Sequence, residues 1–166
     1  MTVSVSPARQ VAGFIARFDP AIARLARAAR SHLRRRYFPA AVELVYDSYN
    51  SLAIGFGPNE RTTDAVVSLA VYPRGMNLYF IYGRTLPDPD GLLLGKGNQG
   101  RFLRLESLEL LAQPAVVALL REAIRQSDVP MPKSGRGYTV IKVAATKQRP
   151  RRVRPRSRLH SSRSGS

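Results

Sequence analysis

"DAVVSLAVYPRGMNLYFIYG", residues 64–83, decides the fold. Both halves are rich in β-branched and aromatic residues with a period of two, which predicts two strands. Between them Pro73-Arg74-Gly75 has the chemistry of a tight turn, so the strands form an antiparallel hairpin. Upstream, "AVELVYDSYN" (41–50) and "SLAIGFG" (51–57) read as two more strands, joined to the hairpin by the polar loop "GPNERTTD" (57–64). Downstream, "RFLRLE" (101–106) reads as a fifth. Strands that follow one another without intervening helices imply an antiparallel meander. "YTVIKVA" (138–144) adds a last strand or an extended strip along an edge.

Helices flank this run. Ser6 with Pro7, and Asp19 with Pro20, are two successive N-cap and first-turn signals. Val11, Phe14, Ile15 and Phe18 share one face of the first helix, and Ile22, Leu25, Ala26, Ala29 and Leu33 one face of the second. Arg24, Arg27, Arg30, Arg34 and Arg35 are expected on the opposite, outer side of that second helix. "LESLELLAQPAVVALLREAIRQS" (105–127) is helical, with its longer segment starting at Pro114 and a buried stripe of Val116, Val117, Leu120 and Ile124. The expected class is α+β: an antiparallel sheet of about five strands with N-terminal helices and a C-terminal helix packed on it. Tyr46, Tyr49, Tyr72, Tyr79 and Tyr82 fall in the strands and are expected as core or cross-strand pairs; stacking of single-stranded bases on exposed rings is the alternative.

The chain has 166 residues and a net charge of +16, and the excess is not spread evenly. Residues 9–36 carry eight arginines against Asp19 alone, and residues 147–166 carry eight Lys/Arg and no acid, while the stretch between is close to neutral. We therefore divide the chain into one domain, 1–146, and a basic tail, 147–166, whose few large apolar residues predict disorder in the free protein. Such segregation points to an acidic partner met by the arginine helix and the tail. Arginine outnumbers lysine 23 to 4, and its planar fork suits phosphate. The candidate contacts are Arg24, Arg27, Arg30, Arg34, Arg35, Lys96, Arg149, Arg151, Arg152, Arg154, Arg156 and Arg158. If the six arginines from Arg149 to Arg158 met duplex DNA, the log–log salt slope would be about −5.

"GKGNQG" (95–100) spells a phosphate-cradling pattern, but such a loop must open a helix, and here "RFLRLE" follows. The expectation is a series of turns in which Gly91, Gly95, Gly97 and Gly100 supply positive backbone angles, with Lys96 at the tip. The surrounding "LPDPDGLLLGKGNQGRFLRLES", preceded by "NLYFIYG" and followed by "PAVVALLREAI", resembles the YdhG-like family of domains of unknown function. "SGRGYTVIKVAATKQRPRR" is similar to the ending of one branch of it, and the likeness spans roughly residues 10–150. The resemblance implies an antiparallel sheet with helices at both ends of the chain. Some members are similar to frataxin and are described as intracellular iron chaperones for iron–sulfur assembly, which makes an iron-binding metallochaperone the alternative function.

Chemistry is sparsely signalled. Without cysteine, thiolate catalysis and thiolate metal sites are excluded. His32 and His160 are the only histidines and lack metal-ligand spacing. Asp88 and Asp90 suit Asx-type turns, Glu106 and Glu109 a helix start, and no serine sits in a nucleophile elbow. No catalytic residue, cofactor site or metal ligand is assigned. No leader pattern and no 18-residue apolar run are present, so a cytoplasmic setting and no membrane are expected, and the charge pattern with the sparse chemistry makes the expected function a non-enzymatic binding module for an acidic partner such as nucleic acid.

Overall fold

A computed structural model describes residues 4–153. Ser6 caps α1 (Pro7–Ala16), its hydroxyl accepting from the Arg9 amide at 3.3 Å. α2 (Pro20–Arg36) follows after a three-residue break, and β1 (Val42–Asp47), β2 (Leu52–Gly57), β3 (Val67–Tyr72) and β4 (Gly75–Phe80) then run antiparallel in sequence order. β5 (Arg101–Arg104) continues the meander, α3 (Pro114–Arg125) crosses back, and β6 (Tyr138–Ala144) is the last strand among the described residues. The hairpin register pairs Tyr72 with Gly75 across Pro73-Arg74, as the turn chemistry requires.

The sheet has six strands in the order β5-β4-β3-β2-β1-β6. It is mixed, because β6 lies parallel to β1, with an irregularity between Val45 and Tyr46. A parallel partner needs a long crossover, and here the whole chain from β2 through α3 supplies it. Gly137 lets β6 enter: a Cβ there would overlap the Ala41 carbonyl oxygen, a backbone atom that cannot swing aside.

Alternation sorts the strands into two faces. Val45, Leu52, Ile54, Phe56, Val67, Leu69, Val71, Met76, Leu78 and Phe80 all point to one side and are buried. The helices bury their stripes against that side: Val11 and Ile15 from α1, Ala23, Ala26, Ala29 and Leu33 from α2, Val116, Leu119 and Leu120 from α3. A fully buried Leu33 contributes about 2 kcal/mol of transfer free energy. α2 buries mostly alanines, so its backbone comes close to β3 and β4.

The opposite face carries no helix among the described residues. Ala53, Gly55, Ser68 and Ala70 form its floor, and Tyr46, Tyr72 and Tyr79 stand around it. Here the core expectation is corrected. Tyr72 and Tyr79 are 40% and 37% exposed, because the helices took the face of Leu69 and Leu78, while Tyr82, 42% exposed, lies past the end of β4 beside α3.

Candidate polyanion-binding surface

On α2 the helical period decides which arginines reach solvent. Arg24 and Arg35 point straight away from the sheet and Arg27 lies just to one side; all three are exposed. Arg34 is half-buried beside Arg27, and the two wall a shallow groove with Ser31 and Pro39. Arg36, which the sequence reading left out, lies on the other flank, where it forms a second groove with Arg35, Tyr37, Arg121 and Ile124. The cationic surface therefore runs from α2 onto α3. Among the described residues, Arg24, Arg27, Arg34, Arg35, Arg36 and Arg121 have no carboxylate partner; the ion pairs involve Arg17, Arg30, Arg61, Arg125 and Arg151. Arg34, Arg35 and Arg36 also complement the negative end of the α2 dipole. The half-buried imidazole of His32 sits below its ordinary pKa, first from desolvation and then from the charge of Arg36. On α3, Arg125 is engaged by Glu122, whose carboxyl is held below its ordinary range by that hydrogen bond.

Two of the expected contacts are corrected. Arg30 follows Ala26 by four residues and precedes Leu33 by three, so it lies on the buried stripe and not opposite it. Its guanidinium forks onto Glu43 of β1, with Nε to Oε2 at 2.8 Å and Nη2 to Oε1 at 2.7 Å. Thr139 of β6 donates to the same carboxylate at 2.9 Å, so Glu43, 1% exposed, ties α2, β1 and β6 together.

Arg151 is the second. Its side chain is 3% exposed and donates from Nη2 to Asp47 Oδ1 at 3.0 Å and to the Ser48 carbonyl at 2.6 Å, with its guanidinium over the Phe18 ring. Asp47, at the end of β1, is buried too and also accepts from Arg17 and Gln148. The stretch expected to be disordered from residue 147 is thus docked as a strap over residues 145–153. Backbone bonds from Ala145 to Asp47 and from Arg149 to Tyr49 hold its first part. Arg152 donates to the Arg17 carbonyl, and the Val153 amide to Asp19, the residue expected to cap α2. Buried carboxylates demand cations, and the strap supplies one.

Arg149 and Arg152 are exposed. Arg154, Arg156 and Arg158 lie outside the described residues, as does His160. Lys96 is exposed in the loop before β5, at the sheet edge opposite the strap, and does not join the α2 surface.

The "GKGNQG" loop resolves into turns followed by a strand. Gly91 and Gly95 have φ of 63° and 111°, but Gly97 and Gly100 do not take positive angles. Gly100 is there for space, since a Cβ would overlap the Tyr79 ring. The carbonyls of Gly97 and Gly100 accept from Arg101 and that of Asn98 from Arg84, and a strand follows the loop where a phosphate cradle would open a helix. The Asp88 carboxylate accepts from the Leu92 and Leu93 amides, four and five residues on, and so closes a wider loop than the Asx-type turn expected of it.

Other chemistry finds little footing. Among the described residues no three His, Asp or Glu side chains are placed to hold a metal, and no helix is long and apolar enough to cross a membrane. A cleft of about 330 Å³ opens beside the end of α3, lined by Thr63, Tyr82, Thr85, Leu86 and Gln126, with no arginine in its wall. Compared with known proteins, the chain matches no family model, no curated protein and no solved structure.

Proposed function

We propose that this protein is a non-enzymatic binding module that holds an extended polyanion, the phosphate backbone of nucleic acid, against the α2–α3 face. The observation that carries this is the set of six guanidinium groups on α2 and α3 without a carboxylate partner among the described residues. Unpaired arginines in such number repel one another unless an anion lies between them. A cytoplasmic setting goes with this reading. The YdhG-like resemblance would instead favour iron delivery, which needs gathered oxygen ligands; stoichiometric ferrous binding under anaerobic conditions would favour it over the polyanion.

The test is fluorescence anisotropy with a labelled duplex across a salt series. Four to six phosphate contacts give a log–log slope of about −4 to −5, a loss of several hundredfold between about 50 and 200 mM salt. Replacing Arg24, Arg27 and Arg35 together by Glu, all on the exposed side of α2, is expected to flatten the slope by about 3. An unchanged slope removes α2 from the interface.

A further inference from the structure

We propose that the uncovered face of the sheet is a stacking surface for unpaired bases, so that the polyanion is single-stranded nucleic acid. The identity of the polymer rests on the reading above; the site does not, because it lies on the other side of the sheet from α2.

The trough, of about 230 Å³, crosses the central strands. In one row of the register Tyr79, Ser68, Gly55 and Leu44 lie side by side across β4, β3, β2 and β1; in the next, Asn77, Ala70, Ala53 and Tyr46. Rings thus stand at both ends of a floor made of small side chains. Three strand spacings, about 14 Å, separate β4 from β1, enough for a base laid flat between Tyr79 and Tyr46.

Gly55 sharpens the point. A Cβ at this position would meet only ordinary contacts, 3.6 Å to the Leu44 carbonyl oxygen and 3.8 Å to that of Val67, and φ is not positive. Neither packing nor backbone conformation requires glycine there, and glycine weakens a strand. Its effect is to leave the floor clear.

The rings are fixed before any ligand arrives. The Tyr46 hydroxyl is hydrogen-bonded to that of Thr62, and the Tyr79 ring lies over Gly100. Held rings with exposed surfaces bind flat groups at little entropic cost.

Charge selects the occupant. No residue lining the trough carries a carboxylate. Arg74, in the hairpin turn, and Arg104, beside Asn77 in register, are exposed on its flank and lack a carboxylate partner among the described residues; Glu106 lies in the adjoining groove. A second copy of this chain would bring +16 against +16. Aromatic faces beside cations fit bases with phosphates at their edge.

Anisotropy with a single-stranded oligonucleotide, the same length made abasic, and a duplex tests this, comparing the wild type with the Tyr72→Ala/Tyr79→Ala pair. Single-strand affinity is expected to fall roughly five- to a hundredfold per ring engaged, with abasic and duplex binding unmoved. Tyr72→Phe/Tyr79→Phe keeps the rings and is expected to retain single-strand affinity. Single-strand binding indifferent to the alanine pair overturns the proposal. So does tyrosine-dependent self-association or a tyrosine-dependent preference for an acidic peptide. If the α2 glutamate variant loses duplex binding while the alanine pair changes nothing, the sheet proposal falls and the α2 reading stands. Tyrosine-dependent binding that survives in the α2 variant leaves the reverse.

Discussion

Replacing Asp47 by Ala attacks the junction on which the strap depends. The carboxylate is 1% exposed and takes hydrogen bonds from Arg17, Gln148 and Arg151. Removing it leaves the Arg151 guanidinium buried without a counter-charge, and breaking a buried pair from one side costs about 3–5 kcal/mol. Arg151 still donates to the Ser48 and Ser51 carbonyls, and Arg17 is half solvated, so the lower end, about 3 kcal/mol, is expected. Against a total of about 5–15 kcal/mol that is a large share, equivalent to a drop in Tm of about 6–12 °C for a domain of this size. Thermal unfolding followed by circular dichroism reads the stability. Limited trypsin digestion reads the strap itself, because cleavage after Arg151 and Arg152 requires the segment to leave its seat. Arg151→Met should cost less, since Asp47 keeps Arg17 and Gln148 and the new side chain can pack on Phe18. Tm within about 1 °C of the wild type for Asp47→Ala, together with an unchanged trypsin pattern, would refute the argument.

Two further expectations concern other parts of the fold. Gly137→Ala should cost about 1–3 kcal/mol in chemical denaturation, because the added methyl group displaces β6 from the Ala41 backbone; a neutral result would mean that β6 can slide without loss. The folded pKa of His32 lies below its ordinary 6.5, so the unfolded chain binds its proton more readily. The neutral imidazole's contribution is therefore complete above about pH 6.5 and is lost as pH falls towards the folded value. The Tm advantage of the wild type over His32→Gln should shrink from about pH 7.5 to about pH 5.5, and an advantage that grows on acidification would reverse the sign.

Local chemistry made part of this readable. Pro73-Arg74-Gly75 could only be a turn, and the periods on either side carried β3 and β4 with it. The pairing of β6 was not readable, because an isolated seven-residue strip does not encode which strand will accept it, or in which direction. Alternation grouped Ser68, Ala70 and Tyr72 correctly but could not say which face the helices would take, and so the tyrosines were assigned to the core. Arg30 was lost to the company of its neighbours, although its spacing from Ala26 and Leu33 sets it on the buried side. The strap had a signal in β1. Glu43 and Asp47 share a face with buried Val45, and acids at core positions call for buried cations, one of which came from a stretch whose composition reads as solvated.

The pairing of β6 with β1 also imposes an order on biosynthesis. Asp47 and Arg151 stand 104 positions apart, so translation delivers the guanidinium long after the carboxylate. Until then a nascent chain that already contains α3 displays β1 as a bare edge, with Val42, Leu44 and Val45 in it, inviting pairing with a neighbour. Native structure can lock only once β6 and the strap have cleared the ribosome, which makes premature termination between residues 125 and 138 a recipe for aggregates more than for a smaller working protein.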